Sequence, residues 1–344
     1  MMSSSSSSGR VPWHAVLIGL LTLGLLWLFV HNIDPREAWD ATKHARLSLI
    51  GLAIVVTLQT YLLRALRWQV LLRPMGKARF RTAFRTTIIG FTATFLLPAR
   101  IGEVLKPYLL ARREGFNPAS TFATVIVERL LDLVTVLLMF GLAIPIVGAG
   151  VSQEIRVAGG IAALVAVVAI VVLFVLAGHP QRLSEIVERL ARRLPAKVSA
   201  ALTHFTRTFV EGLRVLRHPA NLAVAFFWSF PLWFSIAMGV FLCTRAFGLV
   251  LPFLGSFLVT GYLAVGVSAP TPGGAGGFHL AYQLAMTQAF GASESTAAAA
   301  AIVLHAVSFV PITLLGLAYM WQDGLTLGGL KKMKREAEVA EELP

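Results

Sequence analysis

Apolar runs of about twenty residues recur along this chain, separated by short polar or basic stretches. A helix needs about 20 predominantly apolar residues to cross a hydrocarbon core roughly 30 Å thick. Six segments meet that length: 13–31, 47–66, 120–147, 157–177, 220–246 and 295–321. Only 14% of residues are charged, against about 25% in an ordinary soluble domain. The predicted fold class is an all-α polytopic membrane protein, with one integral membrane domain over 11–325. The Ser-rich start (1–10) reads as disordered, and 326–344 reads as a charged cytoplasmic tail. The first apolar run reads as a retained helix, because no small-residue cleavage site follows it.

Two further apolar regions are interrupted. Residues 83–111 are cut by LLPARIGE, and residues 253–290 by SAPTPGGAGG. In hydrocarbon a broken helix is tolerated only where protein or a cavity satisfies its freed backbone groups. Each region is therefore expected to form a re-entrant helical hairpin; the alternative is one ordinary span plus an interfacial helix. Charge fits the hairpins. The basic clusters at 64–81, 178–219 and 331–335 all fall on the cytoplasmic side if both regions return to the side they left, with both termini inside. Segment 181–217 alternates apolar and basic faces, as a helix lying on an anionic membrane surface does. Shifting the first broken region by 174 residues pairs Pro98 with Pro272, Gly102 with Gly276, Tyr108 with Tyr282 and Phe116 with Phe290. That partial match suggests an inverted repeat, an arrangement in which secondary transporters place their binding site near the bilayer midplane.

The formal net charge of +13 could suggest nucleic acid, but the bases cluster beside apolar runs, so no nucleic-acid partner is expected. The single cysteine, Cys243, allows no intrachain disulfide, and no metal-ligand spacing occurs. Catalytic signatures such as G-x-S-x-G, H-E-x-x-H and the Walker loop are missing, so neither an enzyme nor a cofactor is expected.

Ionisable groups at membrane depth are costly and become candidates for function. Arg100, Glu103 and Lys106 follow the first break at three-residue steps, which would put them on one helical face. With Gly102, they could hold a lipid phosphate at the hairpin tip, or form an ordinary snorkelling helix. Glu128 and Asp132 share a face, with Arg129 beside them, as a buried charge network. Pro272, Gly273, Gly274 and Gly276 lack bulky side chains and would let a headgroup approach the backbone, or simply form a turn. His279 and His305 could relay a proton or could be hydrogen-bonded packing residues. Arg64, Arg67 and Arg85 read as snorkelling anchors.

The stretch LLPARIGEVLKPYLLARREGFNPASTFATVIVERLLDLV (96–134), with TPGGAGGFHLAYQLA (271–285), resembles the flippase-like transmembrane family. That family comprises the membrane region of lysylphosphatidylglycerol synthases (MprF-type) and stand-alone YbhN-type proteins. The resemblance implies an inner-membrane protein that moves lipid between leaflets, with Arg100, Gly102, Glu103, Glu128, Arg129 and Asp132 at the family's motif positions. Only a short tail follows the last span, which implies a stand-alone member without the aminoacyltransferase domain. Phe278-His279 stands where many relatives carry an acid, so the second motif departs from the family pattern. The expected partners are membrane lipids, anionic phospholipid or isoprenoid lipid. A lipid-modifying enzyme or glycosyltransferase, and further copies of the chain, are the protein partners considered. The leading reading is lipid translocation. The rival is a non-transporting partner that presents lipid to a glycosyltransferase, and a membrane-embedded lipid-modifying enzyme is a weaker third.

Overall fold

The computed structural model describes residues 13–97, 100–147, 153–178, 219–326 and 328–329. The expected disordered start, the amphipathic segment 181–217 and nearly all of the tail lie outside the described residues. Among those described, every regular element is helical.

Helix α1 (Trp13–Val30) is almost wholly apolar, and a sharp corner ends it. There Asp34 accepts a hydrogen bond from the Arg36 amide and Pro35 occupies the first helical position, two features that start a new helix. The result is α2 (Pro35–Lys43), bent 80° from α1. Helix α3 (Leu47–Leu72) runs six residues beyond the expected end at 66, because Arg67 is fully buried and paired with acids rather than marking an exit into water. Then come α4 (Phe80–Leu96), α5 (Gly102–Glu114), α6 (Pro118–Val147), α7 (Gln153–Gly178), α8 (Pro219–Ala246), α9 (Gly255–Ser268), α10 (Gly277–Phe290) and α11 (Glu294–Gln322). By length and composition, Leu47–Met75, Pro219–Ala246 and Glu294–Gln322 are apolar enough to cross a membrane, and α1 with α2 together makes a fourth such candidate. The segments 120–147 and 157–177, expected to span, form the long helices α6 and α7.

Both interrupted regions fold back on themselves. A β-carbon added to Gly102 would lie 1.8 Å from the Gly90 carbonyl and 2.4 Å from Thr94 Oγ1; one added to Gly90 would lie 2.6 Å from Lys106 Cβ. Residues 94 with 102, and 90 with 106, converge in opposite chain directions, so α4 and α5 form an antiparallel hairpin. It begins at Phe80, slightly earlier than the expected 83. In the second region Gly266 and Gly277 touch backbone to backbone, while Gly255 meets Phe290, so α9 and α10 form the matching hairpin. Apolar burial gives little net drive for helix association in lipid, so small residues that allow close backbone approach matter most. The fully buried run Ala297–Ala301 seats α11 against the core in the same way.

The chain order α3–α4–α5–α6 recurs as α8–α9–α10–α11 with similar helix lengths. The leading helices α3 and α8 pack antiparallel: Arg67 meets Ser229, Thr60 meets Ser235, and the Arg46 amide donates to the Ala246 carbonyl. The units also exchange partners. Helix α4 packs along α11, where Thr92 donates to the Ile312 carbonyl, and α9 packs along α6, where Gly261 abuts Phe140. At the open end of the first hairpin, Asp323 takes Arg85 at 2.8 Å and also pairs with Arg113, latching α4 and α5 to the end of α11.

Candidate functional site

The acids of α6 anchor one half of the site. A carboxylate inside a membrane bundle is tolerated only when paired and hydrogen-bonded, since the desolvation of each ion costs several kcal/mol. Glu128 and Asp132, one helical turn apart, are both buried and face α3, α5 and α8. Lys106 of α5 donates to Glu128 at 2.5 Å, and its ammonium lies 3.9 Å from the centre of the Trp68 ring. Arg67 of α3 donates to Asp132 at 2.7 Å and to Ser229 at 2.9 Å, and its other terminal nitrogen is 3.6 Å from Glu128. Trp233 donates to Asp132 at 3.1 Å, and Trp68 to Thr124 at 2.8 Å, which fixes the surrounding rings. Arg129 approaches Asp132 at 3.2 Å from the rim of the cluster, with 39% of its side chain exposed. Arg64 approaches Asp132 at 3.7 Å and lies over the Phe91 ring.

Arg64 and Arg67 therefore belong to this cluster and are not the anchors their sequence positions suggest. A signal was present: two acids on one face of α6 exceed what Arg129 alone can neutralise, and Arg64 and Arg67, three residues apart, share a face of α3. Arg85, the third expected anchor, belongs to the Asp323 latch.

Lys106 does not join Arg100 and Glu103, as three-residue spacing on one helix would require. Arg100 precedes α5 and has a left-handed backbone (φ 50°), so its side chain leaves the helical face. It stays 3.8 Å from Glu103, and both are partly exposed. Its other terminal nitrogen donates to the carbonyl of Val267, in the last turn of α9, at 2.6 Å. Gly102 forms the close contact with Gly90 inside the hairpin.

The glycine turn of the second hairpin completes this junction. Gly273, Gly274 and Gly276 all take left-handed φ, which Pro272 and its neighbours could not share, and a β-carbon on Gly273 would meet the Phe95 carbonyl at 3.6 Å. The tips of the two hairpins thus touch. His305 of α11 donates from Nε2 to the Gly273 carbonyl at 2.9 Å, and His279 accepts the Gly276 amide at Nδ1 at 3.3 Å. The two rings lie 4.6 Å apart among Phe29, Phe278 and Phe309, so both histidines hold the turn. Beside the tip is an apolar cavity of about 550 Å³, whose lining includes Leu25, Phe140, Tyr262, Leu280, Ser268 and Ala269. Among the described residues, no group of three or more His, Cys, Asp or Glu could hold a metal ion.

Relatives share most of this chain. It is 29% identical over 328 residues to a UPF0104 membrane protein of Methanothermobacter thermautotrophicus, covering 88% of this chain and 93% of that protein. It is 24% identical over 321 residues to the UPF0104 membrane protein PH1989 of Pyrococcus horikoshii, covering 88% and 94%. Glycosyltransferase AglD of Haloferax volcanii is 26% identical over 332 residues; the match takes 88% of this chain but only 52% of AglD, so the chain spans about half of that relative. Residues 13–316, from the start of α1 to the last two turns of α11, match the family described as the lysylphosphatidylglycerol synthase TM region, and the chain is a membrane protein of that family.

Proposed function

We propose that this protein binds a membrane lipid between its two helical hairpins and carries its headgroup from one leaflet to the other, without catalytic chemistry of its own. The observation that carries the reading is the contact between the hairpin tips, where Arg100 of one donates to the Val267 carbonyl of the other. The antiparallel pairing of α3 with α8 supports an inverted arrangement in which each hairpin enters from a different membrane face, with both termini in the cytoplasm. The apolar cavity beside the second hairpin's tip suits a hydrocarbon chain, and Arg100 and Glu103, both partly exposed, are polar groups at the junction of the tips.

The test is transbilayer movement of fluorescent phospholipids and of a polyprenyl phosphate in proteoliposomes holding only this protein. Movement well above that of protein-free vesicles is the expected result; rates equal to those vesicles would end the translocation reading. A second reading, presentation of lipid to a glycosyltransferase, draws on the relative named Glycosyltransferase AglD. Under it, purified protein moves no lipid, and a lipid-modifying enzyme co-purifies with it from native membranes.

A further inference from the structure

Four cations converge on two carboxylates inside the bundle. Arg64, Arg67, Lys106 and Arg129 each come within 4 Å of Glu128 or Asp132, and among the described residues no other acid pairs with any of the four. The cluster is left with a surplus of two positive charges. Its hydrogen bonding is incomplete in the same sense: Arg64 Nη1, Arg67 Nε and Nη2, and Arg129 Nε are buried with no hydrogen-bond partner. Asp132 Oδ2 is the one unpartnered acceptor there, and it already lies within ion-pair distance of Arg64 and Arg129.

Depth makes this surplus costly. Ten residues of α6 separate Pro118 from Glu128, about 15 Å at 1.5 Å per residue, so the acids lie well inside a long, mainly apolar helix. Uncompensated charge at that depth is expensive, and a purely structural network would match cations to acids. Arginine is also the side chain best suited to a planar, forked grip on phosphate oxygens. At the rim of the cluster Arg129 is part-exposed, and Arg64 sits over Phe91.

We propose that Arg64 and Arg129, backed by Arg67, form a binding site for a phosphate-bearing anion, the missing counter-charge of the Glu128–Asp132 cluster. This deepens the lipid reading by giving the headgroup a chemical class, yet it concerns binding alone. The shared chemistry is a phosphate group, whether carried on a lipid or free.

The test is equilibrium binding to the purified full chain in zwitterionic nanodiscs, using dioctanoylphosphatidic acid, dioctanoylglycerol and inorganic phosphate as probes. The phosphatidic acid should bind at least about tenfold more tightly than the chain-matched neutral glycerolipid, and Arg64→Gln and Arg129→Gln should each weaken it by about tenfold. Arg64→Lys, which keeps the charge, should lose less. Inorganic phosphate binding as tightly as the lipid supports the site and assigns it to free phosphate; much weaker binding supports the site and assigns it to a headgroup. Equal affinity for the neutral lipid, or affinity within about twofold of wild type in both glutamine variants, overturns the proposal. If Arg64→Gln does not fold, the rim variant Arg129→Gln decides. Binding that persists in protein unable to move lipid would sink the translocation reading and leave this site standing.

Discussion

Arg100 and Val267, 167 residues apart in sequence, are joined by a 2.6 Å hydrogen bond from guanidinium to backbone carbonyl. The bond ties the tip of one hairpin to the last turn of the other's first arm. Arg100 reaches it only because its backbone turns left-handed before α5 begins.

Replacing Arg100 by alanine should separate folding from function. One partly exposed hydrogen bond contributes about 1 kcal/mol, and the left-handed backbone is relieved or kept at small cost. The thermal unfolding midpoint in detergent should therefore move little, while lipid movement in proteoliposomes falls by at least about tenfold. Unchanged movement in this variant would remove the tip junction from the mechanism.

The acids of α6 should behave in the opposite way. Glu128→Gln leaves Lys106 and Arg67 without their shared carboxylate, and breaking a buried pair from one side costs about 3–5 kcal/mol. Adding Lys106→Met to the same chain removes one stranded cation and should recover part of that loss. Unfolding midpoints of the single and double variants check it; equal midpoints would mean that Lys106 and Glu128 are not coupled.

Gly102→Ala tests the first hairpin. The added methyl would lie 1.8 Å from the Gly90 carbonyl, which is backbone and cannot swing aside. Destabilisation of about 1–3 kcal/mol or more is expected, with splaying of α4 from α5. Gly19→Ala, where nothing lies within 4 Å, is the matched control and should be near neutral.

A pH effect should appear at the α2–α11 contact. Ser293 donates to Glu37 at 2.6 Å, and this hydrogen bond, with help from Ser295 and Thr296, holds the Glu37 carboxyl below the ordinary glutamate range against a weaker opposing push from burial and Asp34. A lowered folded-state value stabilises the fold at pH above the unfolded value and loses that stabilisation as pH falls through the folded one. Protection of the amides at the start of α11, taken against the intrinsic exchange rate at each pH, should therefore be high at neutral pH and fall below about pH 4, and Glu37→Gln should remove most of that change.

Much of the scaffold was legible in the chain. The apolar runs dictated helices at 120–147, 220–246 and 295–321 almost to the residue, because hydrocarbon leaves a spanning backbone few other solutions. The breaks at LLPARIGE and SAPTPGGAGG likewise announced hairpins, since Gly and Pro interrupt both the helix and its hydrogen bonding. The corner between α1 and α2 was harder to see: it depends on the Asp34 cap and on α2 docking against Ser293, Ser295 and Thr296, all remote in sequence.

The candidate site divided along the same line. Glu128 and Asp132 declared themselves by sharing a helical face deep in an apolar segment, a local property of spacing. Which cations answered them was a matter of tertiary packing. Arg64 and Arg67 arrive from α3, and Lys106 comes from a hairpin arm, while its sequence neighbour Arg100 turns away to the other hairpin. Composition and periodicity determined where helices run and that two acids share one face of a mainly apolar helix, because those depend on length and polarity along the chain. The choice of partner for each buried charge depended on distances between elements far apart in sequence, and only the folded bundle sets those distances.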